Sequence, residues 1–175
     1  MRRAIPLLAL AALVTASELG AQADRRRDAD CPTTAPAPPD LAGWINRTPL
    51  AAAPTQPALE GAVMTLDRAV EATLHPTTEV EFAIAPERPV EAGAHGGMFT
   101  FEIPTEGRYR VAVGSAAWVD VIEDGRLLGA VGHARGAACS EVHKTVIFAL
   151  RAGRHLLQVS GNAGPTTILL ITRAP

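Results

Sequence analysis

Two histidines, a cysteine and the only lysine of this 175-residue chain fall within one stretch, GHARGAACSEVHKTVIF, residues 132–148. Imidazole and thiolate are good ligands for zinc or copper, so His133 and His143, with Cys139 between them and His95 as a third imidazole, form a candidate metal set. The spacing argues against it. Five and three residues separate the three positions, which matches no zinc-knuckle pattern, and a blue-copper loop would carry a following methionine, whereas none follows Met98. A cysteine locked in a disulfide could not ligate at all, and Cys31 and Cys139 are the only two cysteines. In an oxidising compartment such a pair reads as a staple that would tie the N-terminal tail to the loop before Lys144.

Other reactive constellations are sparse. Ser140 and His143 are the one sequence-local serine–histidine pair, and no Gly-x-Ser-x-Gly elbow occurs. Asp120, Glu123 and Asp124 cluster around one strand and turn, where calcium binding or acid–base work is conceivable, but an Asp-Gly hairpin turn accounts for part of that cluster. His75 and His155 read as surface or edge residues. Trp118 and Asp120 share one face of a strand opposite Val119 and Val121, which makes Trp118 the candidate for a solvent-side platform, against the commoner core role of an indole. With the opening stretch, the ligand-binding set predicted is Trp118, Asp120, His133 and Lys144.

These residues need a frame, and the glycine-punctuated alternation from residue 61 onward predicts an all-β domain. Strands are expected at 62–66, 79–85, 97–103, 108–113, 118–123, 127–132, 145–150, 155–160 and 166–172, although Val63, Leu66 and Val70 also fit one helix over 63–74. The turns at 104–107, 123–126 and 151–154 each hold a glycine and predict three hairpins. A two-sheet sandwich of jelly-roll or Greek-key kind follows, over residues 59–175. Residues 24–58, with four prolines in DRRRDADCPTTAPAPPD, read as an extended tail, with Leu41–Leu50 as a possible apolar hook.

The first 23 residues predict a secretory signal: Arg2 and Arg3, an apolar run from Ile5 to Val14, and Ala21-Gln22-Ala23 before cleavage at Asp24. That run is too short to span a bilayer, which takes about 20 residues, and no second one follows, so the mature chain has no predicted membrane segment. Periplasmic or secreted placement is expected. Removing Arg2, Arg3 and Glu18 from 16 basic and 18 acidic side chains leaves 14 and 17. A small negative charge gives no electrostatic reason for a nucleic-acid partner.

The stretches GGMFTFEIPTEGRYRVAVGSAAWVDVIEDGRLL, GHARGAACSEVHKTVIFAL and AGRHLLQVSGN resemble a family of small exported proteobacterial proteins of unestablished activity. The resemblance covers about residues 80–172 and rests on Gly97, Gly107, Tyr109, Trp118, Asp120, His133, Cys139, Lys144, Phe148 and Gly153. Proteins similar to these are sometimes called homogentisate 1,2-dioxygenase. That activity implies a cupin with ferrous iron on two histidines and a glutamate, and no His-x-His with a nearby Glu occurs here. The plan also resembles accessory β-sandwich modules of secreted hydrolases. The sequence thus supports an exported, non-catalytic β-sandwich that binds envelope glycan or an envelope protein and needs no cofactor. Second stands a periplasmic zinc or copper protein using His95, His133 and His143, and third a dioxygenase-like enzyme.

Overall fold

The computed structural model describes residues 35–175. Among them are twelve strands: β1 Thr48–Ala51, β2 Val63–Met64, β3 Val70–Thr73, β4 His75–Pro76, β5 His95–Ile103 and β6 Gly107–Val113. The others are β7 Trp118–Glu123, β8 Arg126–Leu128, β9 Gly132–Arg135, β10 Lys144–Leu150, β11 Gly153–Asn162 and β12 Thr166–Arg173. They build two packed sheets, ordered β1-β3-β12-β6-β10-β9 (sheet I) and β2-β5-β11-β7-β8 (sheet II), with β4 added to β5. The β1–β3 and β2–β5 pairs are parallel, and the other ladders are antiparallel. The all-β sandwich expected from the alternation is the fold.

Period-2 burial makes the core. Phe99, Phe101 and Ile103 of β5 face Tyr109, Val111 and Val113 of β6, with Val119, Val121, Leu157, Val159, Leu169 and Ile171 completing one apolar layer. This facing corrects the hairpin reading. Of the three expected turns only Glu123–Arg126 closes a hairpin, with Asp124 (φ 49°) and Gly125 (φ 72°) both left-handed, as a type I′ turn requires. The turns at 104–107 and 151–154 are arches that carry the chain from one sheet to the other. A glycine turn reverses the chain in either case. Two apolar faces that must meet across a core, rather than lie side by side, select the arch.

Other boundaries also change. Residues 63–74 hold β2, a turn with Asp67 at φ 60°, and β3, not a helix. The expected strand 127–132 is broken at 129–131, its ends falling in β8 and β9, and 80–85 form no strand. Within the stretch expected as a tail, β1 and a 3-10 helix belong to the packed structure. This helix, at Pro39–Trp44, lays Leu41 and Trp44 on the outer face of sheet I, against Ala69, Ala112, Val142 and Leu170. The apolar hook is thus real. Arg110, buried on that face, donates through its guanidinium to the carboxylate and the carbonyl of Asp40. The signal segment and Cys31 lie outside the described residues.

Candidate functional site

The outer face of sheet II is organised in rungs. In the β7–β11 ladder Trp118 pairs with Ser160, Asp120 with Gln158, and Ile122 with Leu156. The segment 80–94, whose VEFAIA alternation suggested a strand, crosses this face at the middle rung. Gln158, fully buried, accepts the Ile84 N–H at 3.1 Å and donates to the Ile84 carbonyl at 3.0 Å. Asp120 accepts the Glu87 N–H at 3.4 Å. The strap therefore makes strand-like bonds, but to side chains, which is why its alternation resembles a strand that has no ladder.

Each side of the strap is a cleft. One, of about 610 Å³, lies toward the Ile122–Leu156 rung and includes Thr100, Arg154 and His155. The other, of about 450 Å³, lies toward the Trp118–Ser160 rung and is lined by Arg88, Glu91, Trp118, Lys144 and Ser160 with small residues between. Next to it β11 is irregular, with its register to β5 shifting between Val159 and Asn162 and Gly161 at φ 68°. Such a bulge re-aims side chains locally, as is common beside binding sites.

Trp118 stands in the second cleft half-buried, not in the core. Its indole N–H donates to the Asp120 carboxylate at 2.7 Å, which fixes the ring on the sheet. The Arg88 guanidinium lies 4.2 Å from the ring centroid and the Lys144 ammonium 5.6 Å, a doubly cationic flank on one aromatic. Lys144 has one long hydrogen bond, to the Ala116 carbonyl at 3.4 Å. Among the described residues no ion pair includes either cation. Burial, then the like charge of Arg88, push the Lys144 pKa down. Burial pushes the Asp120 carboxyl up, against the pull of the Trp118 and Glu87 N–H groups and with the push of the Glu87 charge.

Three of the four predicted ligand residues thus meet. Trp118 and Lys144 line the cleft, while Asp120 is a buried brace behind the indole. His133 does not join them. It is exposed on edge strand β9, paired with Val146. The predicted metal trio is not gathered either: His95 begins β5 in the other sheet, His143 is exposed before β10, and no group of three or more His, Cys, Asp or Glu that could hold a metal forms among the described residues. Cys139 sits at φ 61° with its carbonyl accepting the Ala35 N–H at 2.7 Å.

The acidic cluster divides. Glu123 bonds Arg151 at 2.8 Å and His155 Nε2 at 2.8 Å, and Asp124 bonds Arg151, whereas Asp120 serves Trp118. His75 is half-buried on the short edge strand β4, against the Ala52 carbonyl, whereas His155 is buried and stacked on Phe101 and is not the surface or edge residue expected. Arg88 escaped sequence reading. Thirty residues before Trp118, in a proline-flanked stretch, it carries no local pattern that names its partner.

No known protein-family model matches the chain. No curated protein matches it. Among solved structures it is similar to the pre-peptidase C-terminal domain of a collagenase from Bacillus anthracis, at 14% identity and a TM-score of 0.36, over 72% of this chain and 98% of that one. The site is therefore read from its own geometry.

Proposed function

We propose that this protein is an exported, non-catalytic β-sandwich module of the cell envelope that binds through the Trp118 cleft, with envelope glycan as the ligand. The observation that carries this reading is the indole itself: half-exposed, held by Asp120 and flanked by two cations that form no ion pair among the described residues. An aromatic left partly open beside unpaired donors suits a ring that offers an apolar face and hydroxyl acceptors. The Cys31–Cys139 staple belongs to the same proposal. It is supported by the Ala35–Cys139 backbone bond, four residues from Cys31, and by the lack of a free cysteine among the described residues.

The chain has two tryptophans, and Trp44 is buried on the other sheet, so fluorescence can report on Trp118. Titrating the mature protein with isolated envelope polysaccharide and peptidoglycan fragments should shift the emission, and Trp118→Phe should remove the shift. Unchanged emission together with no retention on the immobilised glycans would defeat the reading. Export is tested by finding an N-terminus at Asp24 in the periplasmic or culture fraction.

A further inference from the structure

Sugar hydroxyls account for the donors of Arg88 and Lys144 but not for their charge, which a neutral sugar does not need. Arg88 comes from the strap and Lys144 from β10 of sheet I, so two separate elements bring positive charge to one indole of sheet II. Like charges converging on one ring repel each other and Lys144 also loses hydration, a cost the fold bears with no carboxylate in ion-pair reach among the described residues. The nearby carboxylates are otherwise placed. Asp120 is buried and bonded to the indole and the Glu87 N–H; Glu87 lines a smaller adjoining hollow, and Glu91 a wall of the cleft.

Resting on the glycan reading, we infer that the cleft selects an acidic sugar, a uronate whose carboxylate is held between the Arg88 guanidinium and the Lys144 ammonium with its ring beside the Trp118 indole. The planar fork of arginine matches a carboxylate, and lysine adds a point charge. An anion placed there would offset the burial and the like charge of Arg88 that push the Lys144 pKa down. The small residues Ala92, Gly93, Ala116 and Gly161 leave room in the cleft for a pyranose ring. A peptide fits less well. The floor strand β11 lies between β5 and β7 and offers no edge for a peptide backbone to join, and on β7 only the short Trp118–Asp120 half, which β8 does not reach, is paired on one side alone.

Calorimetry on the mature protein decides this with three probes: oligogalacturonate, a neutral galactan oligosaccharide of equal length, and polyglutamate. Oligogalacturonate should bind at least about tenfold tighter than the galactan, and weaken at about 0.5 M salt, where screening reaches only a few ångströms. Lys144→Gln and Arg88→Gln should each cost about tenfold for oligogalacturonate and much less for the galactan, whose hydroxyls the glutamine amide can still bond. If one variant loses its β circular dichroism, the other and the salt series carry the test. Equal affinity for both sugars, abolished by Trp118→Ala, would overturn the acidic-sugar inference and leave the glycan reading standing. Polyglutamate binding as tightly as oligogalacturonate would overturn the sugar assignment. Binding of no saccharide would overturn both.

Discussion

The two tryptophans lie on opposite outer faces of one sandwich, and their surroundings make them different instruments. Trp44 is 2% exposed, sealed with Leu41 against sheet I, and its indole N–H has no partner. Trp118 is half open on sheet II, its N–H bonded to Asp120 and its ring flanked by cations. The cover decides. A 3-10 helix brings apolar side chains to sheet I, whereas the strap on sheet II is hydrogen-bonded to the Asp120–Gln158 rung and leaves a cleft on either side. An aromatic therefore becomes structural or receptive according to what crosses over it, not according to its strand.

The sharpest test of that contrast is a pair of truncations. Trp44→Ala should cost about 3–5 kcal/mol of unfolding free energy in urea titrations, the usual loss for a sealed aromatic, while Trp118→Ala should cost under about 1 kcal/mol and abolish ligand-induced signals. Equal losses would erase the distinction. The staple should matter next. Cys139→Ala and Cys31→Ala should each lower stability by about 3 kcal/mol, with the double variant adding little, because each removes the same cross-link. Additive losses in the double variant would mean two independent thiols.

The strap comes third. Gln158→Met keeps the volume but strips both bonds from Ile84, so stability should fall by about 1–3 kcal/mol and the Ile84 amide should exchange much faster with solvent. Protection unchanged at Ile84 would show that the strap is held elsewhere. The smallest effect concerns pH. Bonds from Arg151, then from His155, hold the Glu123 carboxyl down at about 2 against an ordinary 4.5. A lowered folded pKa adds stability that is fully present above 4.5 and is lost as pH falls toward 2. Melting temperatures of Glu123→Gln should show a shallower fall across that window. Asp120, raised by burial, has the opposite sign, with stability falling as pH rises from its ordinary value of 3.8 through its folded one.

The strands with clean alternation were legible in the sequence: 118–123 is β7 at both ends, and 108–113 and 166–172 miss one residue each. Alternation records which face is buried, and that is a local property. It does not record what lies alongside, so two arches looked like hairpins and the strap looked like a strand. Strands β1 and β3 were illegible for another reason. Thr48–Ala51 holds a proline, and Val70–Thr73 sits in a run that suits a helix as well, so only their mutual pairing and the β12 ladder make them strands. The site split along the same line. Trp118 and Asp120 were readable from one strand, while Lys144 and Arg88 reach them from other elements.

The last two strands hold central positions. Without β12, sheet I is two pieces, β1-β3 and β6-β10-β9; without β11, sheet II is also two, β2-β5 with β4, and β7-β8. Each final strand is the seam that joins its halves, and each is the neighbour of strands made long before it. A chain emerging from its N-terminus cannot close either sheet until Gly153–Arg173 is free. Such long-range closure is slow, on the order of milliseconds to seconds for β-sandwiches. Synthesis order thus keeps this sequence open to the end, the condition in which a polypeptide can still be threaded through a narrow pore.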